Sequence, residues 1–432
     1  MMGKTLGWGQ IARLGLVQMC LGAIVVLTTS TLNRLMTVEL ALPAVLPGLL
    51  VALHYGIQIS RPAWGFRSDT RGNRTLFIIG GMAVLALGGF LAAFAVTIMG
   101  AAFWAGLALS IFAYALIGVG VGASGTSLLA LVATATAPER RAAAATITWL
   151  MMILGIAATA GTVGAQLDPY SPSRLLVVTG IVTLGAVILT TLAVWGIERR
   201  VIATPSDAAP MPLRQGLAEV WAEPKARDFT LFIFLSMVAY FLQELILEPY
   251  AGLVFNYSPG QSTQLSGVQH GGVFLGMVTV GIACTGLRLG SLRVWVMGGC
   301  VLSALALAFI AWLGMVGIDL MQPATFALGF GNGVFAVAAI GAMMALAGQG
   351  REAREGTRMG LWGAAQALAA GFGGLLGAAS ADALRLVMGD APAFATVFLA
   401  EAFLFLVAAL MAAQVVAGRP VRPMPQAVIA GE

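Results

Sequence analysis

Charge is scarce in this chain. Of its 432 residues, 9% are charged and 59% hydrophobic, with a mean hydropathy of +0.93. Soluble domains carry about 25% charged residues, so a water-exposed globule is excluded. Histidine occurs only as His54 and His270, and cysteine only as Cys20, Cys284 and Cys300, all three inside apolar runs. That supply and spacing suit no metal cluster, redox pair or disulfide framework. There is no phosphate loop and no serine–histidine or cysteine–histidine arrangement, so the sequence offers no catalytic residues and enzyme chemistry is not expected. The short alternating segments of about 10 residues that build an outer-membrane barrel are also missing.

Long apolar runs are abundant. Twelve runs reach or approach the roughly 20 residues that span a bilayer: 11–32, 44–64, 75–98, 102–133, 142–165, 174–196, 229–250, 264–287, 291–315, 322–348, 357–380 and 392–416. The first lacks a convincing small-residue cleavage site and reads as a retained helix. The expected fold class is therefore an all-α membrane protein of twelve transmembrane helices. The one long polar connection, 198–228, carries Pro205, Pro210, Pro212 and Pro224. It separates an expected N-terminal six-helix bundle (1–197) from a C-terminal one (229–432).

The net charge of +5 is spread over short inter-helix turns, which argues topology and against nucleic acid. With the N-terminus cytoplasmic, only Arg34, Arg174 and Arg385 of the 23 basic residues fall on the far side. Basic loops stay inside, so both termini are expected in the cytoplasm. The densest turn is Gly65-Phe-Arg-Ser-Asp69-Thr-Arg-Gly72-Asn-Arg74, with Arg61 just before it. Its glycines permit a tight reversal between helices, and Asp69 can meet a helix N-terminus or an arginine.

The halves repeat. An offset of 211 carries Gly118, Gly120 and Gly122 onto Gly329, Gly331 and Gly333, and Arg140 onto Arg351. An offset of 216 carries His54 onto His270, and Gly56 and Gly65 onto Gly272 and Gly281. The five-residue difference is expected in a shorter turn after the eighth span.

A parallel six-plus-six repeat is the architecture of the major facilitator superfamily. The Gly65–Arg74 turn resembles that superfamily's signature, and Pro138-Glu-Arg-Arg141 resembles its turn between the fourth and fifth helices. Three further blocks resemble the PucC/LhaA-type light-harvesting assembly branch. They are Asn33-Arg-Leu-Met-Thr-Val-Glu-Leu40, Leu53-His-Tyr55 with Arg61-Pro-Ala-Trp-Gly65, and Gln243-Glu-Leu-Ile-Leu-Glu-Pro-Tyr-Ala-Gly252. Ala251 stands where that branch is expected to have glycine. The resemblance implies a photosynthetic bacterium's inner or intracytoplasmic membrane and a bacteriochlorophyll or chlorophyll-type pigment as cofactor. As partners it implies antenna α/β polypeptides, late pigment-synthesis enzymes and membrane lipids. A secondary transporter of a small or lipid-like solute is the alternative.

His54 and His270 are candidate ligands for the magnesium of such a pigment, since neutral imidazole binds metals; a hydrogen-bonded packing role is the plainer reading. Arg34, Glu39, Glu244 and Glu248 fall at the outer ends of the first and seventh spans. An offset of 211 brings Arg34 beside Glu244, so an ion pair between the halves is expected, against the reading of solvated loop charge. Asp69 with Arg71 and Arg74 reads as a structural latch, and Glu401 is a lone acid in the last span. The tryptophans Trp8, Trp64, Trp149, Trp195, Trp221 and Trp362 suggest an interface belt. The first, fourth and tenth spans contain no carboxylate and the seventh has its acids only near its end. That weakens proton-coupled transport, which needs acids deep in such helices.

Overall fold

The computed structural model describes residues 5–61, 64, 73–137, 140–198, 221–287, 289–347 and 355–416. Within them lie twelve long helices. They are α1 Trp8–Glu39, α2 Val45–Ser60, α3 Arg74–Met99, α4 Phe103–Ala135, α5 Arg141–Gln166 and α6 Pro172–Val194. The second half contributes α7 Pro224–Phe255, α8 Pro259–Gly281, α9 Leu292–Val316, α10 Met321–Ala347, α11 Glu355–Met388 and α12 Asp390–Val415. Eleven are long and apolar enough to cross a membrane, and α2 is a shorter apolar helix. The chain is a multi-pass helical membrane protein.

Packing follows the repeat. α1 lies on α5 and α6 as α7 lies on α11 and α12, and α3 touches α4 and α6 as α9 touches α10 and α12. α2 meets α4 as α8 meets α10. The halves join where α5 packs on α8 and α2 on α11. Each half has its own buried apolar cluster, with one exchange each way: Leu245 of α7 sits in the first cluster, and Ala44 ahead of α2 sits in the second.

Glycine makes the tightest of these contacts. Gly120 lies against the backbone of Gly81 and Leu85, and Gly331 against Gly299 and Ser303, leaving no room for a side chain. Gly118 abuts the His54 carbonyl, and Gly329 abuts that of Gln269. Small residues let helices approach this closely in lipid, where close packing replaces the hydrophobic drive.

These pairs also correct the sequence reading. Gly81 corresponds to Gly299, an offset of 218, whereas Gly120 to Gly331 is 211. The shortening therefore lies between α9 and α10, where α10 starts later than α4, and not after α8. α7 also begins before the expected boundary of 229. Pro224 suits the first turn of a helix, where its missing N–H has no partner to lose. Residues 199–220 of the expected connection lie outside the described residues.

Trp362 departs from the expected interface belt. It is 1% exposed, donates to Thr230 Oγ1 at 3.1 Å and packs on Phe229. Trp8, Trp195 and Trp221 are exposed.

Candidate functional site

The candidate site is the seam between α1 and α7, both of which leave regular α geometry at their midpoints. In α1 the run Leu27-Thr-Thr-Ser-Thr31 widens into a π-turn, and a second π-turn spans Leu35–Glu39. Hydroxyl side chains that bond back to the helix favour such distortion. Thr28 and Thr29 both donate to the Val25 carbonyl, at 2.7 and 3.3 Å. The widened turn leaves the Thr28 carbonyl able to accept from Tyr114 of α4 at 3.0 Å.

In α7 the regular helix stops at Leu242 and restarts at Leu247. Pro249 lacks the N–H that would bond the carbonyl four residues earlier, that of Leu245. Asn33 of α1 supplies the missing donor, its Nδ2 lying 2.8 Å from that oxygen. The signature proline of one half is thus completed by the signature asparagine of the other.

Further cross-half contacts stack along the same line. Ser30 donates to Glu248, which also meets Ser266 of α8, and Thr31 Oγ1 lies 3.2 Å from Thr263 Oγ1. Glu244 bonds Thr29. Tyr250 turns away from the seam, donating to the Ile310 carbonyl at 2.8 Å with Phe398 against its ring. Gly252 leaves the space that Arg34 and Val38 fill, since a Cβ there would meet the guanidinium.

The expected pairing of Arg34 with Glu244 or Glu248 is corrected. Arg34 forms its salt bridge with Glu39 of its own helix, and its other amino group donates to the Tyr257 carbonyl at 2.6 Å. The bond to Tyr257 is what crosses the halves. Five residues lie far apart around an α-helix, but the π-turn has a longer period and brings 34 and 39 to one face. Neither charge of the Arg34–Glu248 level is a solvated loop group: Arg34 is 2% and Glu248 3% exposed.

A second correction concerns depth. Because α7 runs to Phe255, Glu244 and Glu248 lie inside a membrane helix and not near its end. The apolar-interior argument against transport is weaker for it. Glu401 of α12 is fully buried, and neither carboxylate oxygen has a partner among the described residues.

At the end of the bundle bearing Glu39, two aspartates unnoticed in the sequence tie the halves reciprocally. Asp168, just past α5, accepts from Ser258 Oγ at 2.7 Å and the Gly260 N–H at 3.3 Å, at the start of α8. Asp382 of α11 accepts from the Val45 N–H at 2.7 Å, at the start of α2. A carboxylate at a helix N-terminus satisfies free N–H groups and opposes the dipole. The two residues are 214 apart, within the range of offsets that relates the halves. A search for acids at that spacing would have found them.

The two histidines differ. His54 is 1% exposed, with Nε2 2.8 Å from Gln58 Nε2, and Arg61 donates to the same glutamine's oxygen. His270 is partly accessible and bonds the Ser266 carbonyl through Nδ1 at 2.9 Å. In the basic turn, Gly65, Asp69 and Gly72 lie outside the described residues. Beyond it, the N–H of Arg74 donates to Glu198 at 2.9 Å, which caps α3.

The stretches forming this seam are those carrying the family resemblance, and the match extends well beyond them. The model of the family described as PUCC protein matches residues 31–419. The chain belongs to the PUCC protein family. A Rhodobacter capsulatus relative named "Bacteriochlorophyll synthase 44.5 kDa chain" is 69% identical over 99% of this chain and 100% of its own length. "Protein PucC" of the same species is 29% identical over 92% of this chain and 90% of its own.

The fold of the chain is that of major facilitator transporters. A bacterial homologue of the human lysosomal transporter Spinster, in an inward-facing and unoccupied conformation, superposes with a TM-score of 0.68 at 14% identity. That alignment covers 94% of this chain and 96% of the homologue. A structure from a study of proton-dependent oligopeptide transporters gives 0.70 at 13% identity, covering 94% and 98%.

Proposed function

We propose that this chain is a membrane-embedded assembly factor that binds a (bacterio)chlorophyll-type pigment. It holds the pigment for antenna α/β polypeptides or for the enzymes that finish pigment synthesis. The observation that carries this reading is full-length similarity, at 69% identity, to a chain named for bacteriochlorophyll synthase. Here the chain is a non-catalytic companion of pigment chemistry, consistent with a transporter-type fold and a seam whose side chains join helices through Ser30, Asn33 and Arg34. The distribution of basic residues supports both termini in the cytoplasm of a bacterial inner or photosynthetic membrane.

A second reading has its own support. Glu244 and Glu248 inside α7 are acids in a helix facing the other half, as a proton-coupled carrier of a small or lipid-like solute would need. Purification in mild detergent followed by an absorption spectrum separates the two. Stoichiometric bound pigment supports the assembly factor. Pigment-free protein that drives saturable solute uptake into liposomes supports the carrier.

A further inference from the structure

Glu248 and Ser266 meet beneath α1 as part of the closed seam. α7 and α8 run in opposite directions there. Back along α7 from Glu248 the chain enters its break, and one turn, about 5 Å, forward along α8 from Ser266 leads the same way, away from the Glu39 end. The residues reached are Glu244 and His270, both partly accessible where Glu248 and Ser266 are buried.

His270 is prepared to act as a ligand. A backbone carbonyl only accepts, so the proton shared with Ser266 sits on Nδ1, and Nε2 keeps its lone pair. A carbonyl partner of this kind fixes the ring and raises the basicity of the other nitrogen. A Cβ added at the neighbouring Gly271 would meet nothing within 4 Å, so α8 is not closely packed at the residue after His270. His54 has no such freedom, because Gln58 occupies its Nε2.

On the other side, Glu244 lies within electrostatic reach of Tyr55 and Tyr240. Their rings flank Phe241, with centroids 6.2 and 5.1 Å from it.

We infer that His270 and Glu244 are the two ends of one binding site for a flat, metal-centred ring. His270 Nε2 would hold the metal, Tyr55, Phe241 and Tyr240 give apolar edges, and Glu244 in its carboxylic acid form donates a hydrogen bond to a carbonyl on the ring's rim. This rests on the pigment-binding reading and adds which residues hold the pigment and how the metal is sensed.

The test is a titration of the full-length protein in mild detergent with bacteriochlorophyll a and with its metal-free form, bacteriopheophytin a. Wild type should prefer the magnesium pigment by about tenfold or more. His270→Gly should erase that preference and added imidazole should restore it; His270→Phe, which fills the same space, should erase it without rescue. Glu244→Ala should weaken both pigments alike, Glu244→Gln, which keeps a donor, should weaken them less, and His54→Leu should leave the preference intact. A preference that survives in folded His270→Gly or His270→Phe, or that is lost with His54, overturns the inference while leaving pigment binding standing. Wild type that binds both pigments equally does the same. Wild type that binds neither overturns both.

Discussion

The two joints between the halves differ in how they obey the repeat. At the Glu39 end, Asp168 caps α8 and Asp382 caps α2, each half lending an acid to the other. At the centre the symmetry is broken. Asn33 and Ser30 reach across from α1 to the proline break in α7, and no matching proline interrupts α1. The histidines do not repeat across the halves: Gly118 abuts the His54 carbonyl where Gly329 abuts that of Gln269, so the expected match of His54 with His270 is one residue out of register. Backbone packing preserved the duplication, while side chains at the seam specialised. Symmetric contacts hold shape here, and the asymmetric ones gather at the α1–α7 seam.

The largest effect should come from the asymmetric joint. Arg34 is 2% exposed and its salt bridge is to Glu39, which is 41% exposed. Glu39→Leu strands a buried cation and should cost about 3 kcal/mol. Arg34→Met leaves a carboxylate that water can reach and should cost less than half of that. Thermal unfolding in one detergent measures both, and equal losses would contradict the one-sided burial.

Next in size is the proline and its donor. Asn33→Leu leaves the Leu245 carbonyl buried without a partner, at a cost of about 1–3 kcal/mol. Pro249→Ala lets residue 249 bond that carbonyl itself, so adding it to Asn33→Leu should recover part of the loss. A double variant no more stable than Asn33→Leu would detach the two residues from each other.

The caps should follow. Asp382→Ala should cost about 1 kcal/mol. Asp168→Ala should cost less, because Asp168 is exposed and its bonds compete with water. Each should also raise the labelling rate of a cysteine placed beside the cap, and equal effects on stability would break the ordering. Smallest of all is Glu401→Leu, which removes a carboxyl bonded to nothing described and should leave the unfolding temperature unchanged or higher. A marked drop would reveal a partner for that acid.

Much of the fold could be read from the chain. Apolar runs gave the helices, and the glycines of α4 and α10 gave the repeat, because helices in lipid need small residues wherever backbones touch. The seam was legible only in part. Its residues stood out as signature blocks, yet the partner of Arg34 depended on π-turns that no periodicity in the run of threonines announces. The ends of α1 and α7 misled as well. In sequence a charged residue marks where the membrane stops, whereas hydrogen bonding lets Arg34 and Glu248 continue into the helices. Asp168 and Asp382 carry no signal of their own, because a loop or helix-end aspartate reads as solvated until the helix it caps is known.

The central claim is that α1 and α7 close one end of the molecule over a site for a pigment. A density map of the protein purified with bacteriochlorophyll tests it most directly. The account predicts a flat ring between α7 and α8, its metal on His270, beneath an intact Asn33–Leu245 contact. A ring held on the lipid-facing surface or at His54, or a water-filled path past Glu244 with no ring at all, would contradict it.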